Sequence, residues 1–175
     1  MATLSMPKAR YGYLDNSVVL VIEGQLRYTA AKPLRAFIDE LLAKTAGEAV
    51  IIDLREVEFL DSTGMGLLAR IGRATLAHGR RSIIVCPPGD VMTCLRSAAF
   101  DTIFIVVDSW PFETGMELYD IPLEEKPLLA YVMGNLMLDA HRDLAAVSDE
   151  NRRVFGDVIE ALEAELGQNS RPRFD

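Results

Sequence analysis

Four short apolar runs, each rich in β-branched residues, set the terms for this chain: SVVLVIEG from Ser17, AVIIDL at 49–54, RSIIVCPP at 81–88 and TIFIVVD at 102–108. None alternates apolar with polar residues along its whole length, so the first three read as strands covered on both faces and TIFIVVD as the last strand of the series. Between them the period changes to that of a helix. Leu34, Phe37, Ile38, Leu41 and Leu42 recur at threes and fours, with Thr29 placed to cap the segment and Gly47 to stop it. DSTGMGLLARIGRATLAHG (61–79) is a second helical stretch, and Gly89-Asp90 to Ser97 a short third. Strands joined by helical crossovers predict an α/β fold with a parallel or mixed sheet and helices packed on it. Ala9–Leu14, with Tyr11, Tyr13 and the turn-forming pair Asp15-Asn16, adds an edge strand through a hairpin.

Charge divides the chain. Residues 1–108 hold twelve acids and twelve bases, whereas 109–175 hold fourteen acids and six bases, so the whole net charge of −8 lies in the tail. The expected organisation is a domain over 1–108, a connector over 109–124 interrupted by Pro111, Gly115 and Pro122, and a helical extension over 125–175. Trp110 packs the connector onto the domain. In the extension, Pro127 suits the first turn of a helix carrying Leu128, Leu129, Val132, Met133, Leu136, Ala140 and Leu144 on one side. Ser148 caps a second helix, whose stripe is Val154, Phe155, Val158, Ile159, Leu162 and Leu166, with Asp157, Glu160, Glu163 and Glu165 facing water. Such a helical hairpin must be covered, either by its own sheet domain or by a second copy. A homodimer through these helices is the favoured cover, because residues 8–108 look complete as an α/β domain.

Several classes of function are excluded. A net acidic chain with no Lys/Arg run lacks the surface that nucleic acid or anionic lipid requires, so neither direct nucleic-acid binding nor membrane binding is expected. No apolar run approaches the ~20 residues of a spanning helix, and MATLSMPKAR lacks a secretory pattern, so the protein is expected in the cytoplasm. Cys86 and Cys94 match no zinc spacing and read as reduced and buried. His78 and His141 have no metal-spaced companion and read as solvent-facing residues near helix ends. Met133 and Met137 read as core fillers. Asp53 and Asp61 are separated by strand-packing Val57, Phe59 and Leu60, without a nucleophile–base pair, so no enzyme, metal or cofactor is expected.

The most demanding stretch is FLDSTGMG, residues 59–66, where a buried strand gives way to a helix. Glycine costs a helix about 1 kcal/mol relative to alanine. Gly64 and Gly66 in the opening turns therefore imply that something approaches the backbone closely. Ser62 falls at the helix N-terminus, where free N–H groups and the helix dipole favour a phosphate. Asp61 or Ser62 can equally serve as the N-cap.

This turn, together with VVLVIEGQLRYTAAKPLRAFIDELL, VIIDLREVEFLDSTGMGLL and VMTCLRSAAFDTIFIVVD over roughly residues 8–108, resembles the STAS domain of anti-sigma factor antagonists. The resemblance implies a STAS-like mixed sheet. It also implies a phosphorylation switch, in which the serine directly after the Asp is modified by a sigma-factor-binding serine kinase. The unmodified protein captures that kinase and so releases the sigma factor. Here the phosphoacceptor is Ser62, with Thr63 the neighbouring hydroxyl; a serine phosphatase acts on phospho-Ser62. The partner-binding set is Asp61, Ser62, Thr63, Gly64 and Met65 with Gly24 and Arg27. Arg27 stands where many members of the family carry an acid, a charge reversal of the kind that exchanges partners. The tail lies outside the resemblance. Two other readings follow from the same residues: an unswitched STAS scaffold or sensor subunit assembling through its C-terminal helices, and a small-nucleotide or lipid-binding protein.

Overall fold

In the computed structural model, which describes residues 5–112, 115–123 and 129–169, Asp15 takes a left-handed φ of 51° and turns the chain back on itself. Strand β1 (Lys8–Leu14) thereby pairs antiparallel with β2 (Ser17–Leu26). β2 runs parallel to β3 (Val50–Leu60), β3 to β4 (Ser82–Val85) and β4 to β5 (Phe104–Val107). The crossovers are α1 (Ala31–Thr45), α2 (Ser62–Ala77) and α3 (Asp90–Ser97). The expected mixed sheet with packed helices is what forms.

Three details differ from expectation. A sixth strand, β6 (Leu118–Ile121), pairs antiparallel with β1, giving the order β5-β4-β3-β2-β1-β6. Part of the expected connector is thus sheet, and β1 is internal rather than an edge. Thr29 lies within a 3-10 turn at Tyr28–Ala30, and α1 begins from Ala30 without a side-chain cap. Cys86 is buried as expected, but Cys94 is only half-buried.

The two sheet faces are covered by different means. On one, Leu20, Ile22 and Ile52 meet Leu34 and Ile38 of α1, Leu68 and Ile71 of α2 and Leu95 of α3. On the other, Val19, Ile51 and Val85 lie under Trp110, Phe112 and Met116, which come from irregular chain. Trp110 sits edge-on to Phe112 and beneath the Arg55 guanidinium, 4.9 Å from its ring centroid. That guanidinium is itself held 2.8 Å from buried Asp53. The connector is pinned by packing and charge together.

The tail forms α4 (Ala130–Ala145) and α5 (Asp149–Asn169), with the Ser148 hydroxyl accepting the Asn151 N–H at 3.1 Å. Pro127 and Leu128, expected in the first helix, lie outside the described residues. The hairpin is covered by its own domain: α4 lies along α2 and touches α1, and Leu144 enters the main core. α5 packs on α4, a surface one helix wide, so only one edge of its stripe is covered. Leu166 is buried, Phe155, Ile159 and Leu162 are half-buried, and Val154 and Val158 stay exposed.

Asn151 fastens the hairpin's turn to the domain. It is 2 % exposed, and its amide donates to the carbonyls of Ala98 at 2.9 Å and Leu144 at 3.0 Å. Asn151→Ala strands both acceptors, a cost of about 2 kcal/mol, and is expected to lower Tm by about 4–8 °C in calorimetry. An unchanged Tm contradicts that role.

Candidate functional site at the start of α2

β2 and β3 end side by side, with Leu26 opposite Leu60, and the chain turns there into α2. Asp61 makes the turn. Its backbone is extended, and its side-chain Oδ1 accepts the N–H of Gly64 at 2.8 Å, which is an N-cap bond. The other carboxylate oxygen accepts the N–H of Tyr28 at 2.9 Å. Asp61 is therefore the cap, and both its oxygens are engaged by backbone donors.

Ser62 is the first residue of α2 and half-exposed. Its Oγ lies 3.0 Å from Nε2 of His141 on α4. The other ring nitrogen, Nδ1, is 2.7 Å from the Met137 carbonyl, which can only accept. In the neutral imidazole the proton is thus on Nδ1, and Nε2 accepts the Ser62 hydroxyl proton. His141 is 4 % exposed and lies edge-on to the Phe155 ring. This corrects the expectation of a solvent-facing histidine, because the hairpin folds over the turn and takes His141 inside. His78 does face solvent, with Nδ1 donating to the Ala74 carbonyl at 2.9 Å.

The close approaches implied by the glycines are present, on two different sides. A Cβ at Gly64 would lie 2.9 Å from the Leu26 carbonyl and the Leu60 side chain, so this residue seats α2 on the strand ends. A Cβ at Gly66 would lie 2.1 Å from the Ala140 carbonyl oxygen, so here the second party is α4. Gly24, with φ 74°, sits where the β2–β3 register shifts, and a Cβ there would meet the Met6 carbonyl at 2.8 Å.

The structure brings Gly24, Arg27 and residues 61–65 to one end of the sheet, but not all to the surface. Thr63 is 2 % exposed and Gly64 is buried, so both lie beneath the surface of the turn. Asp61, Ser62 and Met65 remain partly open, as does Arg27, whose guanidinium covers the exposed Phe59 ring at 4.6 Å. Among the described residues no group of three or more His, Cys, Asp and Glu side chains is placed to hold a metal ion. An open groove of about 790 Å³ lined by Tyr11, Tyr13, Phe37 and Lys44 lies at the other end of β1 and β2, and shares no residue with this site.

Residues 11–115 match the family model of the STAS domain. Among solved structures, the anti-sigma factor antagonist SpoIIAA in its unphosphorylated form is 24 % identical with a TM-score of 0.46, over 62 % of this chain and 88 % of that one. The phosphorylated form of the Bacillus protein SpoIIAA is 21 % identical with a TM-score of 0.46, over 55 % and 90 %. TM1081 of Thermotoga maritima is 24 % identical with a TM-score of 0.48, over 57 % and 85 %.

Asp61→Ala removes the acceptor for two N–H groups and is expected to cost about 2 kcal/mol in urea unfolding, the upper end for a lost cap. Asp61→Asn keeps one acceptor oxygen and should cost less. Equal stability of all three proteins would show that the cap is not holding the turn.

Proposed function

The chain belongs to the STAS domain family, and from that premise we propose that it is an anti-sigma factor antagonist switched by phosphorylation of Ser62. Unmodified, it binds an anti-sigma factor that is also a serine kinase, and so releases a sigma factor or other regulator. Phosphorylated, it lets go, and a serine phosphatase resets it. The observation that carries this reading is Ser62 itself, a partly open hydroxyl at the first position of α2, directly after a cap that leaves it unencumbered by the Asp61 carboxylate.

The chemistry needs no catalytic group on this chain. A phosphate adds about −1.5 to −2 charges, which the N–H groups and dipole of a helix start tolerate without unfolding. The same charge in a dry protein interface is repelled and poorly solvated, so the complex weakens. Asp61, Ser62, Met65 and Arg27 supply the exposed part of the contact; Gly24, Thr63 and Gly64 shape the ground beneath it. With Arg27 as the cation here, the kinase surface opposite it carries acid. The cytoplasm is the expected site of action; among the described residues no helix is long and apolar enough to cross a membrane.

One observation favours the second reading, an unswitched STAS scaffold: the Ser62 hydroxyl is already bonded to His141. Intact mass of the protein from its own cells separates the two, since phosphorylation adds about 80 Da. With the cognate kinase and ATP, label is expected on Ser62 and lost in Ser62→Ala. Label on Thr63, or undiminished label in that variant, moves the acceptor elsewhere. Ser62→Asp is expected to weaken kinase binding at least tenfold, about 1.4 kcal/mol, while Ser62→Ala preserves it. Equal affinities for the two variants put the interface elsewhere.

A further inference from the structure

We propose that the C-terminal hairpin is an intramolecular lid: α4 occupies in cis the face of α2 on which a protein partner would sit, and its displacement frees the Ser62 hydroxyl that it leaves only partly open. The consequence for signalling rests on the reading of Ser62 as phosphoacceptor; the lid itself rests on geometry.

Residues 62, 66, 70 and 73 are spaced by four, four and three, so they share one face of α2. Each is met by the short stretch 140–143 of α4. Ser62 is bonded to His141. Gly66 lies against the Ala140 backbone so closely that no side chain fits between them. Arg70 and Arg73 both reach Asp143, at 3.2 and 2.8 Å. A further arginine on α1, Arg35, lies 3.6 Å from Asp139. The phosphoacceptor and the three turns that follow it are thus covered by one continuous element belonging to the same chain.

The cover is built to be exchanged. Its polar contacts with α2 are a hydroxyl–imidazole bond and ion pairs whose arginines remain partly solvated, which a second protein surface can replace, and they rim the buried Leu138, Ala140 and Leu144 of α4. Partly exposed ion pairs are weak and screened by salt. A partner that needs the open form binds less tightly in proportion to the fraction that is open. The hairpin therefore sets the threshold for capture by the kinase and for phosphorylation.

The test reads access to position 62 in the full chain. Ser62→Cys is made with Cys94→Ser; Cys86 stays silent at neutral pH, being buried with its thiol pushed up to about 11 by burial. Labelling by N-ethylmaleimide is followed by mass. The same protein is then given Gly66→Ala, whose methyl drives into the Ala140 carbonyl while favouring its own helix. Separately it is given Asp143→Arg, which sets three guanidinium groups against one another. Each change is expected to speed labelling of Cys at 62 at least about fivefold, with the sheet domain still folded by circular dichroism. A smaller increase in the folded variants overturns the lid. If Gly66→Ala fails to fold, Asp143→Arg decides alone. No kinase enters this measurement, so its failure leaves the phosphorylation reading standing. An unphosphorylated Ser62 in cells overturns that reading without touching the lid.

Discussion

The carboxylate of Asp61 fixes the geometry on which the site and the tail both depend. One oxygen holds the Gly64 N–H and the other the Tyr28 N–H, so a single side chain sets where α2 begins and how the chain leaves β2. Once the helix start is fixed, its first turns are fixed in rotation as well. Gly64 and Gly66 are two residues apart, about 200° around a helix axis, and so look in nearly opposite directions. The first lets α2 settle onto Leu26 and Leu60, and the second lets α4 settle onto α2. Each glycine costs helix stability for the sake of a different neighbour. The same rotation leaves Ser62 partly open at the helix start, facing the tail.

How much of this could be read from sequence follows from which interactions are local. The apolar runs around Val19, Ile51 and Ile84 identify strands because these residues are enclosed on both faces, and enclosure is written as continuous hydrophobicity. What encloses them is less visible. Trp110, Phe112 and Met116 cover the second face from a stretch broken by Pro111 and Gly115, which has no period to detect. Strand β6 is four residues, LYDI, too short and too polar to announce itself; it exists because β1 offers it an edge.

The site was legible in part for the same reason. Asp61 as cap and the tight approach at the glycines follow from backbone chemistry within a few residues. His141 is a partner 79 residues away in sequence, and nothing local ties it to Ser62. A signal for its burial was nevertheless present. His141 stands four residues after Met137 and three before Leu144, on the inward stripe of α4, and a polar residue on such a stripe requires a partner. Thr63 and Gly64, carried along with their exposed neighbours in the motif, turn out to be buried because the residues of a helix's first turn point to all sides.

The acidity of the tail has two destinations. Asp157, Glu160 and Glu165 stay on the exposed side of α5, where they face solvent. Asp139 and Asp143 instead face Arg35, Arg70 and Arg73 of the domain. A domain with equal numbers of acids and bases can still collect its bases locally, and α1 and α2 do so on the side that receives α4. The last turns of α4 therefore dock in two ways at once: by complementary charge at their edge, through Asp139 and Asp143, and by burial, through Leu138, Ala140 and Leu144 and the Asn151 amide that follows them. These two kinds of contact differ in how they fail. Buried packing and a buried donor bound to two carbonyls hold until the surrounding structure opens. Partly solvated ion pairs are individually worth about 0–1 kcal/mol and exchange one carboxylate for another readily. An element seated by buried side chains and edged by exchangeable ion pairs beside a hydroxyl combines a fixed position with a reversible rim, which is what a site that must be both protected and reached requires.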